Sequence, residues 1–388
     1  MKIMIVNSVS FTVLGGVERV ILNLENYFLK SGNIVKIISL CDYDELQKNI
    51  IEEFKQLNIV RYKSRTNSRV LKIFSRLVLG INYTKDWKIF LDVLNKSYDD
   101  LPDIILVTIP YFLLDARKAI EYKKLNIKVV YWPHNSLDRS PLVNSFKDKI
   151  GDILFQFTLK KAVRKADAVF AISSEFKYQI AKIDRNKPVY VVFNPTIKYE
   201  GKLIERSDSP IFIFVGRFDD SSKNISFLFK AMSKVINKNW ELLMIGGGYD
   251  ELKIKELAKE LGINERIKWL GWKKDPYDSL NKVTAMLFTS RYEGFGMVLI
   301  EANQRGIPVI SSDCKVGPSD IVIPGVNGYL YPEGDMDTFV RIVNDVIDGK
   351  LGFGTPEEIA KTAERFSEET VGSNFIKAFE ELLDKNDA

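Results

Sequence analysis

Two glutamates near the C-terminal end of the chain, Glu293 and Glu301, flank a short glycine-bearing segment. The apolar run 285–288 before them predicts a strand, and the pattern 297–304 predicts a helix. The turn between them therefore exposes N–H groups at a helix N-terminus, which attract phosphate oxygens. Carboxylates beside an anion site are unfavourable unless each accepts hydrogen bonds from hydroxyl groups of the same ligand. Phosphate and hydroxyl groups together indicate a nucleotide sugar; a strand, turn and helix that only pack together are the alternative.

Two cations follow another predicted strand. The buried run 211–215 leads through a glycine to Arg217, and Lys223 comes six positions later. Arginine offers paired N–H donors and lysine a point charge, so the two together suit a diphosphate. A solvated loop in which Asp219 and Asp220 serve as counter-ions explains these residues equally well.

The front half of the chain holds two further candidates. Gly15 and Gly16 follow the predicted strand 2–7, and paired glycines let backbone approach a phosphate or a sugar closely. Their spacing is not that of the dinucleotide-binding fingerprint, and a tight turn is the alternative. His134, the single histidine, stands just past the predicted strand 128–132, so a place at the ligand and a purely structural role are both open.

A basic segment runs from Arg61 to Lys88, where eight cations accompany one acid, Asp86, and apolar residues recur at helical spacing. Such a pattern is typical of a helix on an anionic membrane surface, and a packed helix with a solvated face is the alternative. Residues 1–194 carry 31 Lys+Arg against 20 Asp+Glu, whereas the remainder carries 25 against 31. The basic front half indicates an anionic partner, either a membrane surface or nucleic acid.

Strand and helix patterns alternate along the whole chain, which predicts an α/β fold with parallel sheets covered on both faces. The alternation breaks at Asn194-Pro195 and restarts after the polar stretch 198–209. We therefore predict two Rossmann-like, doubly wound domains, 1–194 and 195–365, facing each other across a cleft. Ligands of such sheets bind beyond the carboxyl ends of the strands, so the site is expected in that cleft.

Composition excludes several classes of protein. The 388 residues are 46% hydrophobic and 28% charged, which is typical of a globular protein of two domains. No apolar run approaches the length of a membrane-spanning helix, and the N-terminus does not have a signal-peptide pattern. Cys41 and Cys314 lie far apart and form no zinc or disulfide pattern, so a cytoplasmic location is expected.

Taken together, these motifs resemble glycosyltransferase family 4, retaining enzymes of the two-domain GT-B architecture. Glu293 to Glu301 matches the family's E-x7-E motif, and Arg217 with Lys223 matches its phosphate-clamping pair. Gly15-Gly16 matches its N-terminal glycine loop, and His134 its cleft histidine. The segment 266–271 is similar to the strand on which the family reads the nucleobase.

The resemblance implies a role for each matching residue. Arg217, Lys223 and the N–H groups of Gly296, Met297 and Val298 would stabilise the diphosphate. Glu301 would bind the ribose, and Glu293 the hydroxyls of the transferred sugar. Gly15-Gly16 would cover the diphosphate, and His134 would contact the sugar. The donor-binding set implied is Gly15, Gly16, Arg217, Lys223, Glu293, Gly294, Phe295, Gly296, Met297, Val298 and Glu301; the catalytic set is His134, Glu293, Arg217 and Lys223.

Within the family, the sequence resembles bacterial lipopolysaccharide 1,6-galactosyltransferases. Segments 132–138, 271–272 and 311–318 carry this likeness. It implies transfer of a galactose- or glucose-type hexose from a UDP-sugar to a lipid-linked or polysaccharide acceptor, at the inner face of a membrane. No cofactor and no metal are expected. Residues 366–388 are expected to form a helix that packs back on the N-terminal, acceptor-binding domain.

Two other functions are compatible with the resemblance. One is a transferase of the same fold that glycosylates a polypeptide. The other is a catalytically inactive GT-B subunit that binds a partner, although the presence of Arg217, Lys223, Glu293 and Glu301 together disfavours it. A nucleic-acid binder fits the charge of the front half but not the site in the back half, so no nucleic-acid partner is expected.

Overall fold

The computed structural model describes residues 1–7, 16–40, 59–62, 87–96, 101–134 and 146–384. The chain divides into two compact units. The first comprises Met1–Pro195 together with Glu368–Ala388, and the second comprises Thr196–Ser367.

In the described part of the first unit, seven parallel strands form one sheet in the order β3-β2-β1-β4-β5-β6-β7. Helices connect the strands. Its elements up to residue 195 are β1 (Lys2–Asn7), α1 (Gly16–Lys30), β2 (Ile34–Leu40), β3 (Ile59–Tyr62), α2 (Trp87–Lys96), β4 (Ile104–Val107), α3 (Pro110–Lys123), β5 (Lys128–Tyr131), α4 (Phe146–Lys165), β6 (Ala168–Ala171), α5 (Ser174–Ile183) and β7 (Val189–Val191).

The second unit, all of which is described, is built on a six-stranded parallel sheet in the order β11-β10-β9-β13-β14-β15. Two short strands, β8 and β12, pair separately. Its elements are β8 (Glu205–Arg206), β9 (Ile211–Val215), α6 (Asp220–Lys223), α7 (Ile225–Lys234), β10 (Glu241–Ile245), α8 (Glu251–Glu260), β11 (Ile267–Gly271), β12 (Lys282–Val283), β13 (Ala285–Phe288), α9 (Met297–Gln304), β14 (Val309–Asp313), α10 (Pro318–Ile321), β15 (Gly328–Pro332), α11 (Met336–Ile347) and α12 (Pro356–Thr362), with short 3₁₀ turns at Asn264–Arg266 and Ala363–Phe366.

Burial explains why the central strands are apolar throughout. Strands β4, β6 and β13 are buried at every position, because helices cover both faces of each sheet. The predicted α/β class with parallel, doubly wound sheets is therefore confirmed.

The last helix, α13 (Glu368–Asp384), belongs to the first unit and packs against α1. Phe375 and Phe379 each lie within 6 Å of the Phe28 ring, at 5.9 and 5.7 Å between centroids. Gly372 permits the close approach of α13 to α1, since a Cβ at this residue would lie 2.5 Å from Cγ of Tyr27. The chain end thus completes the core of the unit that the chain start begins.

The boundaries between the units differ slightly from those predicted at 194/195 and 365/366. The first crossing falls after Pro195, and the second after Ser367. The backbone carbonyl of Phe366 accepts hydrogen bonds from the amide and the hydroxyl of Thr196, at 2.8 and 3.1 Å. These bonds hold residue 366 in the second unit, so α13 begins two residues later than predicted.

Candidate active site

The order of strands in the second unit reverses between β9 and β13, which lie side by side. Arg217 follows the carboxyl end of β9, and Glu293 lies in the loop after β13. A doubly wound sheet opens a crevice for ligands at such a reversal. The topology therefore brings the two charged segments singled out in the sequence to one point.

An ion pair joins these segments. The Lys223 ammonium lies 2.5 Å from Oε1 of Glu293, and both side chains are mostly buried, with 18% and 13% of their surfaces exposed. Lys223 is the last residue of α6, whose chain then turns through the left-handed conformation of Asn224. Lys223 and Glu293, seventy positions apart in the sequence, thus place a cation and a carboxylate where the same ligand can contact both.

Backbone contacts fix α6 beside the loop after β13. The Thr289 hydroxyl donates to the carbonyl of Lys223 at 2.8 Å, and the amide of Arg291 donates to the carbonyl of Ser222 at 2.9 Å. The Arg291 guanidinium also donates to the carbonyl of Asp220, again at 2.8 Å. The position of Lys223 is consequently determined by both loops.

Asp219 and Asp220 are not counter-ions of Arg217. Asp219 caps α6 and accepts from the hydroxyls of Ser221 and Ser222 at 2.6 and 2.8 Å. Burial acts to raise the pKa of Asp219, but these hydrogen bonds and one from a tyrosine hydroxyl hold it well below its usual range. Asp220 accepts from the amide and hydroxyl of Ser226.

Arg217 itself is exposed, and none of the described residues forms an ion pair with it. Its loop packs backbone-to-backbone on the loop after β10, where a Cβ at Gly246 would lie 1.9 Å from the carbonyl oxygen of Gly216. Because the loop is fixed and the guanidinium is not engaged, Arg217 is available for an anion.

Helix α9 presents its N-terminus to this crevice. Gly296, at φ +96°, ends the turn before it, and no side chain caps the helix. The N–H groups at its start therefore lack the side-chain acceptor that usually satisfies them. Gly317 supports the turn, since a Cβ at this residue would lie 1.6 Å from the carbonyl oxygen of Phe295.

Glu301 lies half-buried in the second turn of α9. The helix is braced from the other side by Tyr277, whose hydroxyl donates to the carbonyl of Val298 at 3.2 Å, and by Arg305, which pairs with Asp275 at 2.8 Å. Burial, and next the charge of Glu301, raise the pKa of Tyr277 well above its ordinary value. The hydroxyl therefore stays protonated and keeps its hydrogen bond to the helix.

Cys314 lies close to the ion pair. Burial, followed by the charge of Glu293, raises the pKa of the thiol to about 12. The thiol is therefore neutral and unreactive at physiological pH, and it acts as a small apolar contact beside the charged group.

His134, at the carboxyl end of β5 in the first unit, is buried with its ring 4.1 Å from that of Trp132. Neither ring nitrogen finds a hydrogen-bond partner in the part of the chain that the structure describes. Burial lowers its pKa to about 3, so the imidazole is neutral. A neutral imidazole with two unsatisfied nitrogens can donate a hydrogen bond to a ligand and accept another.

The remaining sequence candidates are only partly covered. Gly15 lies outside the described residues. Gly16 is the first residue of α1, and open space surrounds the position of a Cβ there. Of the basic segment 61–88, residues 63–86 lie outside the described residues. Among those described, no group of three potential metal-binding side chains occurs. No described helix is long and apolar enough to cross a membrane.

Comparison with known proteins decides the family. A model of glycosyltransferase family 4 matches residues 14–196, and a model of the glycosyl transferases of group 1 matches residues 196–370. The chain is 31% identical over 382 residues to the lipopolysaccharide 1,6-galactosyltransferase of Salmonella typhimurium, covering 96% of each protein. It belongs to glycosyltransferase family 4. The corresponding enzyme of Escherichia coli K12 is also 31% identical to this glycosyltransferase, over 87% of each chain.

Solved structures agree with the family. The apo form of the lipopolysaccharide outer core galactosyltransferase WaaB has a TM-score of 0.81 at 30% identity, covering 97% of this glycosyltransferase and 99% of that chain. Anabaena HepE in complex with UDP has a TM-score of 0.74 at 18% identity, covering 98% and 100%. The predicted GT-B class is confirmed.

Sequence reasoning missed several residues that position the site of this glycosyltransferase. Thr289 and Arg291 act through hydrogen bonds to backbone carbonyls, which no spacing pattern encodes. Tyr277 lies in a turn and Arg305 directly follows α9, and neither position belongs to a motif that the sequence reveals. Only Gly317 carried a usable signal, because Gly-Pro before a helix indicates a special turn.

Proposed function

We propose that this glycosyltransferase moves a galactose- or glucose-type hexose from a UDP-sugar to a lipid-linked or polysaccharide acceptor, with retention of configuration. The 1,6-galactosyltransferases to which it is similar act on lipopolysaccharide, which supports a surface glycan as the acceptor. We expect the enzyme to work in the cytoplasm, at the inner face of the membrane.

The Lys223–Glu293 pair beside the uncapped start of α9 carries this proposal. A diphosphate requires cations and N–H donors, whereas a hexose requires a carboxylate for its hydroxyls. Lys223 supplies the cation and Glu293 the carboxylate, and the two groups lie within hydrogen-bond distance of each other. In a site made for a diphosphate alone, a carboxylate at this position would repel the ligand.

Arg217, Lys223 and the amides of Gly296, Met297 and Val298 would hold the diphosphate. Electrostatic stabilisation of a leaving group by fixed donors is commonly the largest catalytic term. Glu301 would accept hydrogen bonds from the ribose hydroxyls, and Glu293 from the sugar hydroxyls. His134 and the Gly15-Gly16 pair retain the roles that the resemblance implies, at the sugar and the diphosphate.

The nucleobase would lie over β11. This strand is two positions from β9 in the sheet, or about 10 Å at ordinary strand spacing. A nucleotide spans a similar distance between its base and its phosphates. Trp272, directly after β11, is 78% exposed and offers an aromatic face there.

In the proposed reaction, the bond between the anomeric carbon and the β-phosphate oxygen breaks, and UDP leaves. The acceptor hydroxyl attacks from the same face and forms the new glycosidic bond. Its proton passes to the departing β-phosphate. Because Arg217, Lys223 and helix amides supply the positive charge, we expect turnover in the presence of EDTA.

Donor hydrolysis across UDP- and GDP-sugars, together with calorimetric titration of UDP, tests the proposal. We expect UDP-hexoses to be hydrolysed and UDP to bind. Lys223→Gln should weaken UDP binding at least about tenfold, as expected for loss of a charged hydrogen bond. Lys230→Gln, which removes an exposed lysine on α7, is the matched control.

Three results would contradict the proposal. Absence of UDP binding by the wild type would favour an inactive subunit. Binding of GDP-sugars in preference to UDP-sugars would overturn the donor. Transfer to a polypeptide but to no glycan would support the protein-glycosylating alternative.

A further inference from the structure

Helix α4 of the first unit exposes two large apolar side chains. Ile153 and Phe157 are 68% and 59% exposed. They stand four positions apart and therefore lie one above the other on the same face of the helix. The opposite face supplies the packing, because Leu159, Ala162 and Val163 are buried. The exposed pair is consequently not needed to hold α4 on the sheet.

Cations surround this exposed pair. At about 100° per residue, Ile153 and Phe157 fall within an arc of about 120° that also holds four basic residues. These are Lys149, Lys160, Lys161 and Arg164, and all four are exposed. The two acidic residues of α4, Asp148 and Asp152, both fall outside this arc. We call these six residues the α4 face.

The flanking helices add exposed tyrosines to this side of the unit. α4 packs between α3 and α5. Tyr122, at the end of α3, is 71% exposed, and the ammonium of Lys182 lies over the exposed ring of Tyr178 on α5. Tyrosine is typical of the interface between water and lipid, where its ring is half-immersed.

An exposed apolar residue on α8 of the second unit is not surrounded by cations in this way. Leu252 on α8 is 78% exposed, but the acids Glu251, Glu256 and Glu260 share its helix, and Glu251 pairs with Lys255 at 2.6 Å. A single exposed leucine among mixed charges is ordinary protein surface. The α4 face differs in having two adjacent apolar side chains and charges of one sign.

We infer that the α4 face docks on an anionic phospholipid bilayer. Phe157 and Ile153 enter the boundary of the acyl chains, and the four cations contact the phosphate groups around them. Long basic side chains suit this position, because their stems lie along apolar surface while their charges reach the headgroups. The inference does not depend on the proposed transfer reaction, and it uses no residue of the basic segment 61–88.

The chemistry of the face favours lipid over nucleic acid. Nucleic acids engage cations and aromatic faces, but an exposed isoleucine offers no face on which a base can stack. Hydrocarbon chains accept isoleucine and phenylalanine equally well.

Flotation of the full-length protein with vesicles tests the inference. Vesicles of phosphatidylglycerol and phosphatidylethanolamine supply the anionic surface, and vesicles of phosphatidylcholine the neutral one. We expect wild-type protein to bind the anionic vesicles in a salt-sensitive manner. Ile153→Ser with Phe157→Ser should reduce partitioning at least about tenfold, and K160Q/K161Q/R164Q should do the same.

Matched variants in the second unit control for loss of apolar surface and of charge. These are Leu252→Ser and K230Q/K234Q/K259Q, all at exposed positions, and they should bind as the wild type does. UDP titration should be unchanged in every variant, which separates a failure of docking from a failure of the proposed function.

Four outcomes would overturn the inference. Wild-type protein that stays unbound, or serine variants that float as well as wild type, would remove the bilayer as partner. Displacement from vesicles by duplex DNA at equal charge concentration would assign the face to nucleic acid. A dimer seen by sedimentation and abolished by the serine variants would assign it to a second copy of the chain.

Discussion

At the scale of single residues, the contact between Lys223 and Glu293 makes the most specific prediction. In the proposed role Lys223 binds the diphosphate, whereas Glu293 binds the sugar and competes for the same ammonium. Glu293→Gln should therefore keep or improve UDP affinity while lowering sugar transfer about 10²-fold or more. Titration of UDP and transfer assays with a UDP-hexose measure the two effects separately.

Lys223→Gln should show the opposite pattern, in which the main effect of the substitution is a loss of UDP affinity. If Glu293→Gln instead weakened UDP as much as Lys223→Gln, the pair would act as a structural brace for the two loops. The double variant distinguishes the cases, because a shared brace makes the two losses non-additive.

Glu25 provides a test of burial that is separate from the site. It lies on α1 with 1% of its surface exposed, and its Oε2 atom has no hydrogen-bond partner among the described residues. Burial raises its pKa from 4.5 to about 7. Ionising it in the folded protein is therefore unfavourable.

The direction of the pH dependence follows from the difference in the pKa of Glu25 between the folded and the unfolded chain. Well below pH 4.5 the carboxyl is protonated in both the folded and the unfolded chain, so its burial does not lower the free energy of unfolding through ionisation. As the pH rises to about 7, the unfolded chain ionises first and the folded state loses relative stability. Glu25→Gln should thus become more stable than wild type by about 1–3 kcal/mol above neutral pH. Urea unfolding between acid and alkaline pH measures the difference, and a pH-independent gap would contradict it.

At the scale of elements, the turn before α9 depends on Gly317. This residue has φ +99°, and a Cβ would collide with the backbone of Phe295. Gly317→Ala should therefore cost about 2–4 kcal/mol of stability and weaken UDP binding, since it displaces the turn that presents the helix amides. Thermal unfolding and UDP titration measure the two losses.

Gly325 offers the matched control for that substitution. Its φ is also positive, at +78°, but nothing lies within 4 Å of a Cβ there. Gly325→Ala should show only the backbone strain of about 1 kcal/mol and normal UDP binding. Equal effects of the two substitutions would mean that strain, rather than the contact with Phe295, explains the loss at Gly317.

The sequence predicted most strands of both sheets, and the errors have physical reasons. The apolar run 308–310 predicts a strand that ends at residue 310. Strand β14 instead runs from Val309 to Asp313, because Ser311 and Ser312 are polar yet buried. The Ser312 hydroxyl is satisfied by the carbonyl of Ser290 at 2.7 Å, a contact that sequence does not show. Strand β15 was not predicted, since its ends are glycine and proline; it tolerates proline because it is an edge strand.

At the scale of the whole molecule, the first unit is completed by the last helix of the chain. The ring of Phe375 lies 5.9 Å from Phe28, 5.4 Å from Trp132 and 5.4 Å from Phe170. Phe375→Ala should cost about 3–5 kcal/mol, because it removes an aromatic ring from a buried cluster. Lys377→Ala, an exposed change on the same helix, is the control.

Tryptophan fluorescence during urea unfolding checks this prediction, because Trp132 lies in the affected cluster. We expect the first unit to unfold at lower urea in Phe375→Ala, whereas UDP binding by the second unit stays near wild type. A loss of both together would show that the units unfold as one.

The sequence by itself determined the alternation of strands and helices, the break near residue 195, and the glycine turn between Glu293 and Glu301. These features are local: the period of apolar residues and the conformational freedom of glycine are encoded within a few positions. Only the tertiary structure decided that Lys223 contacts Glu293, and that His134 is buried and neutral. It also decided that Asp219 caps α6 and that Asp220 accepts hydrogen bonds from Ser226, so that neither carboxylate neutralises Arg217. Those outcomes depend on which loops the sheet brings together and on how much water each side chain retains, and both are set by residues far away in the chain.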